Sequence, residues 1–282
     1  MKEALYYERI DSHTHCHLCP NECVIPNGGR GSCGVRINRN SVLYSEIYGR
    51  TTSIALDPIE KKPLYHYHPG KYILSLGTKG CNMHCDFCQN WHISQDLKVP
   101  TENITPTQIV EKAKEVGSFG IAYTYNEPFI WYEFVLDTAK LARKNGLENV
   151  LVTNGYVNMA PLEGMLPYIG AMNIDLKSFN EDFYAKICKA RLKPVLDVIK
   201  RSVKSCHVEL TTLLIPSLND SEDEIEKEVD WIYENLGPEI PLHFSRYFPC
   251  YKMSLRPTPI RTLERAAEIA RRKLRYVYLG NV

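Results

Sequence analysis

The stretch "YILSLGTKGCNMHCDFCQNWHIS" (residues 72–94) joins an apolar run to three closely spaced cysteines. Residues 72–78 read as a buried strand that ends at a loop carrying Cys81, Cys85 and Cys88, with His84, Phe87 and Trp91 among them. Thiols placed just after a strand occupy the position where α/β sheets gather their chemistry.

The pattern repeats outward from that loop. "TPTQIVEKAKEVG" is a helix with Thr105 as N-cap, Pro106 in its first turn, Gln108 completing a capping box and Gly117 ending it. Strands follow at "GIAYTY" (120–125), "VLVT" (150–153), "AMNIDL" (171–176), "VELTTLLI" (208–215) and "PLHFSRY" (241–247). Helical stretches separate them, one of them capped by Ser221 with Glu224 three residues on. Six strands alternating with helices predict a parallel α/β sheet with right-handed crossovers, either doubly wound or curved into an incomplete barrel, and "RYVYL" (275–279) is a candidate seventh strand.

Residues 1–70 differ in character, with four cysteines, the Gly-rich "PNGGRGSCG", a strand at "SVLYSEIYG" and the irregular "DPIEKKPLYHYHPG". They read as a small metal-stapled module, and residues 71–282 as the main domain. The chain has 282 residues, 44% apolar and 24% charged, which is an ordinary globular composition. Its 34 basic and 33 acidic groups give a formal charge of +1, so no global field draws it to nucleic acid or an anionic membrane. The short basic run Arg271, Arg272, Lys273 and Arg275 is read as a solvated helix end. No signal core and no long apolar span is visible, and the expected compartment is the cytoplasm.

Ten cysteines in such a chain favour metal or redox chemistry over disulfides. Cys16, Cys19, Cys23 and Cys33 form a complete four-thiolate set, with His13, His15 and His17 as alternates. By count it suits structural zinc and a fully ligated second iron–sulfur cluster equally well. Cys81, Cys85 and Cys88 supply only three thiolates. With His84 or His92 they could close a zinc tetrahedron, but a [4Fe-4S] cube held by three thiolates keeps one iron open for a ligand, and the spacing after a first strand favours the cube.

The Cys-x3-Cys-x2-Cys triplet, with aromatic Phe87 before its last thiol, resembles the signature of the radical S-adenosylmethionine enzymes. That resemblance implies a [4Fe-4S] cluster whose open iron chelates S-adenosylmethionine. One-electron reduction then cleaves the sulfonium to a 5′-deoxyadenosyl radical that abstracts hydrogen. It places Asn126 and Glu127 of "YTYNEPF" at the cofactor's ammonium group, although Tyr125 and Asn126 stand where the family has glycines. Thr153 and Asn154 of "VTNG" end the third strand. Asp175 and Lys177 of "IDLKSFN" match an Asp-x-Lys that helps hold the cofactor carboxylate in glycyl-radical-enzyme activases. His243 and Arg246 of "LHFSRY" are further candidates for cofactor or substrate contact.

Taken with "CHLCPNECVIPNGGRGSCGVR", "DPIEKKPLYHYHPG" and "IPLHFSRYFP", these segments look like the radical enzyme of the AmmeMemoRadiSam system, itself similar to pyruvate formate-lyase activating enzymes. The likeness implies a partial (β/α)6 barrel of TIM type. It also implies a flavodoxin- or ferredoxin-type electron donor and companion proteins of the Memo and AMMECR types. Two other readings are carried forward: an activase acting on a glycine of a partner protein, and a non-catalytic docking module stabilised by zinc.

Overall fold

A computed structural model describes all residues, 1–282. The strands of its main sheet are named here in chain order: β1 (Ser53–Pro58), β2 (Tyr72–Gly77), β3 (Gly120–Tyr123), β4 (Glu148–Thr153), β5 (Ala171–Asp175), β6 (His207–Leu214), β7 (Leu242–Arg246) and β8 (Val277–Gly280). They lie side by side in that same order, β2 to β8 parallel and β1 antiparallel to β2. A doubly wound sheet reverses its strand order at a switch point. This one never reverses, so it is the partial-barrel arrangement, with "RYVYL" supplying a seventh parallel strand.

The helices cross between strands as the sequence signals require. α1 (Pro106–Glu115) carries both bonds of the Thr105–Gln108 capping box. α2 (Tyr132–Lys144), α3 (Leu192–Ser202), α4 (Glu222–Leu236) and α5 (Ile260–Ala270) each bury one apolar stripe, and Ser221 caps α4 through the Glu224 N–H.

Residues ahead of the expected boundary at residue 70 already contribute to the main sheet. β1 is part of the main sheet, and "PLYHYHPG" folds back against the strands, where the buried Glu209 accepts from the backbone N–H of His66 at 2.7 Å. Ahead of β1 lie two small antiparallel sheets, Lys2–Glu3 with Val42–Ser45 and Arg36–Arg39, and Tyr7–Ile10 with His13–Cys16 and Cys23–Ile25. Ile25 and Leu43 from these sheets, with Leu18 and Val35 from the segments joining them, enter the same apolar core as Leu76, Ile130 and Phe134. A buried ion pair, Arg36 to Glu133 of α2, ties the two parts together.

Inside the barrel, period-two alternation puts Asn173 and Asp175, Glu209, Thr211 and Leu213, and His243 and Ser245 on one face. The upper members border the cavity described next. One layer down, His243 Nε2–H donates to Glu209 at 2.6 Å, and His207 Nε2–H donates to the other carboxylate oxygen at 3.0 Å. These two histidines, with the Tyr65 and His66 amides, hold the Glu209 carboxyl down at about 2 although burial alone would raise it. His243 is thus a satisfied core group beneath Tyr65 and Tyr278, not a lining residue. Arg246 is also spent elsewhere. It donates to the Thr258 carbonyl at 2.8 Å, and its guanidinium lies over the Phe248 ring.

Candidate functional site

The carboxyl ends of β2 to β7 surround a cavity of about 330 Å³. Cys81, Cys85 and Cys88 form one wall, and Asn126, Glu127, Thr153, Asn154, Asp175 and Lys177 another, so the loop and three successive strand ends converge as the sequence pattern requires. The cysteine loop can approach so closely because residue 80 is glycine. Its φ of +88° lies in the left-handed region, and a Cβ there would stand 2.6 Å from the Cys33 carbonyl oxygen.

Glu127 is fully enclosed. Its oxygens accept from the Phe129 amide at 2.9 Å, the Asn154 amide at 2.8 Å and the Thr153 hydroxyl at 2.8 Å. Burial outweighs these bonds and raises its carboxyl to about 7. In its ionised form a buried carboxylate supplied with donors but no cation can receive one. Thr153 and Asn154 therefore act on Glu127 rather than on open cavity space, while the Asn154 side chain also reaches the Cys81 sulfur at 3.7 Å and Asn82 at 2.9 Å.

The glycine replacements at 125 and 126 are accommodated in an informative way. Tyr125 takes φ +71°, the conformation a glycine would adopt freely. It is held there by its hydroxyl bond to Asp57 at 2.8 Å and by the Lys62 ammonium 4.7 Å from its ring. Asn126 bridges the cysteine loop, accepting from the Thr78 amide at 3.2 Å and donating to the Gly80 carbonyl at 2.8 Å. Both bonds tie it to the backbone of the cysteine loop. Opposite, Lys177 pairs with Asp175 at 2.9 Å. Burial opposes that charge, but Asp175 and the nearby Cys85 and Cys188 thiols offset it and hold the ammonium above its usual range.

Sequence reading did not find several neighbours. Asp57 and Lys62 form a nearly buried pair at 2.8 Å beside the cavity, and their only signal was the charge cluster in "DPIEKKP". Cys188, isolated in the sequence, is buried against Cys85, and that contact comes first and burial second in pushing the Cys85 thiol up. His84, an alternate metal ligand, is instead committed to Gln95 at 2.6 Å and to Ser32.

The donor set, three thiols on one cavity wall, can hold a metal centre that keeps one position open. Burial also pushes the Cys81 and Cys88 thiols up, so all three are protonated in the metal-free protein and would release protons on taking up a metal.

With that geometry in place, the sequence relationships are decisive. A model of the Radical SAM superfamily matches residues 75–232. The chain belongs to the radical SAM superfamily. Members of this superfamily are enzymes that generate a radical from S-adenosylmethionine, and membership implies that cofactor and a [4Fe-4S] cluster. An uncharacterized protein of Methanocaldococcus jannaschii is 48% identical over 100% of this chain and 86% of its own length. The pyruvate formate-lyase-activating enzyme of Clostridium pasteurianum is 23% identical over 53% of this chain and 64% of its own. In fold, the chain resembles Streptococcus suis SuiB bound to S-adenosylmethionine, with a TM-score of 0.59 at 15% identity over 74% of this chain and 52% of that one. No helix is long and apolar enough to cross a membrane.

Proposed function

We propose that Cys81, Cys85 and Cys88 hold the [4Fe-4S] cluster with one open iron, and that the adjoining cavity binds S-adenosylmethionine for hydrogen abstraction from a substrate. The single observation that carries this reading is the enclosure of three thiols, Glu127 and the Asp175–Lys177 pair in one cavity. When bound, the cluster and cofactor supply reductive carbon–sulfur cleavage to methionine and a 5′-deoxyadenosyl radical.

The protein's own groups divide the remaining work. Glu127, oriented by Thr153 and the Asn154 amide, receives the cofactor's ammonium. Lys177 faces the carboxylate, with Asp175 fixing its position. Asn126 and Asn154 steady the cysteine loop, and Met83, Phe87 and Leu213 exclude water. The test is S-adenosylmethionine binding by the reconstituted protein and its weakening in Glu127→Gln and Lys177→Met.

A second metal at Cys16, Cys19, Cys23 and Cys33 belongs to the same proposal. Three of these thiols are driven up by burial, Cys33 to about 11, and the four-thiolate set suits structural zinc and a fully ligated second iron–sulfur cluster equally well. Its position suits electron relay, because the Cys33 carbonyl packs on Gly80 beside Cys81. The electron donor would be of flavodoxin or ferredoxin type. The likeness to activases supports a second reading, hydrogen abstraction from a glycine in a partner protein. Assignment to the AmmeMemoRadiSam system would add Memo-like and AMMECR-like companions. A new glycyl-radical fragment found by mass spectrometry in a partner would select the activase reading.

A further inference from the structure

The strand His13–Cys16 alternates its side chains, burying Thr14 and Cys16 and turning His13 and His15 outward. His15 and His17 therefore do not serve the cysteine set as alternates. They stand together on the opposite face, ring centroids 4.1 Å apart. Glu8 lies directly across the antiparallel ladder from His15.

Both imidazoles sit between two carboxylates. Glu8 Oε1 is 3.3 Å from His15 Nδ1 and 3.4 Å from His17 Nε2. On the other side, Glu22 Oε2 is 3.1 Å from His15 Nε2 and 2.7 Å from His17 Nδ1. Glu22 is held for this. Its φ of +44° lies in the left-handed region that a glutamate adopts only when its surroundings enforce it. Asn158, from the barrel, donates to its carboxylate and to the His17 carbonyl.

A neutral imidazole has one N–H and one lone pair. With both N–H groups directed at Glu22, the lone pairs of His15 Nδ1 and His17 Nε2 meet Glu8 Oε1. Three acceptors then lie within 4.8 Å of one another with nothing positive between them. A carboxylate behind each histidine, with the free nitrogens converging, is the arrangement that orients histidines toward a metal. Zinc–nitrogen bonds of 2.0–2.1 Å in a tetrahedron give ligand separations of roughly 3.3 Å, which matches the 3.3 and 3.4 Å observed.

We propose that Glu8, His15 and His17 form a zinc site with Glu22 as the outer carboxylate, on the face of the strand opposite Cys16. Two imidazoles and one carboxylate select zinc over magnesium or calcium. The Glu8 side chain is 59% exposed, so the ion is exchangeable, and its fourth position is open to water or a donor from a partner. The site is independent of the radical chemistry.

The test uses the full chain, reconstituted with iron and sulfide and freed of excess metal, then dialysed to equilibrium against zinc at neutral pH. The expected result is one zinc per chain, bound by nitrogen and oxygen alone in zinc-edge X-ray absorption, and lost in His15→Ala/His17→Ala. Glu22→Gln should weaken binding about 10- to 100-fold, and His13→Ala should leave it unchanged. Iron, sulfide and circular dichroism identical to wild type show that the variants are folded. If wild type takes up no zinc, if the double variant takes up as much as wild type, or if the ion carries sulfur ligands, the histidines are simple ion-pair partners and the proposal is overturned.

Discussion

Glu127 must be ionised to pair with an ammonium group, yet its burial holds the carboxyl at about 7. Cofactor affinity should therefore depend on pH in a calculable way. Between pH 6 and pH 7 the ionised share rises from roughly one tenth to one half, which raises affinity about fivefold. Working below pH 7.5 keeps the cofactor's own amine, with a pKa of roughly 7.7–8.0, protonated. Glu127→Gln removes the charge and should flatten this profile. It should also weaken binding by about 1.5–3 kcal/mol, roughly 10- to 150-fold, the range for hydrogen bonds to charged groups. The free protein has the opposite linkage for stability. A carboxyl raised from 4.5 to about 7 favours the fold fully below pH 4.5, and that contribution, ~3 kcal/mol, is lost as pH rises through 7. The assay is anaerobic equilibrium dialysis of S-adenosylmethionine at pH 6 and 7 with the cluster oxidised. Equal affinity at the two pH values in wild type, or the same slope in Glu127→Gln, would refute the assignment.

Other outcomes follow from named contacts. Arg36→Met strands Glu133 as a buried charge and should cost about 3–5 kcal/mol in denaturant unfolding, with the N-terminal metal lost first. Glu209→Gln should destabilise to a similar extent, without changing cofactor affinity per folded molecule, because the carboxylate serves His243, His207 and the His66 amide below the cavity. Its low pKa also predicts that stability falls as pH drops from 4.5 toward 2, and that the variant loses this acid dependence. Gly80→Ala should lower metal content at both cysteine groups, since its Cβ would collide with the Cys33 carbonyl and its backbone would have to leave φ +88°.

Much of the site was legible because its chemistry sits in short local patterns. The capping box at Thr105 and the strand-then-cysteine order at 72–88 are read from neighbours a few residues apart, and both stand as expected. His243 misled because an inward-facing histidine at a strand end looks the same whether or not a carboxylate lies beneath it. Glu209, on the adjacent strand, decides the matter. The fate of His15 and His17 depended on strand parity, since a one-residue alternation separates a thiolate face from an imidazole face. Asp57, Lys62 and Cys188 reach the site by long-range folding, and no local signal announces that.

The most direct test of the central claim is anaerobic reconstitution with iron and sulfide, followed by dithionite and S-adenosylmethionine, with 5′-deoxyadenosine measured in wild type and Cys85→Ala. Product from wild type and none from Cys85→Ala is the predicted result. No product from wild type with a demonstrably reduced cluster would contradict the account.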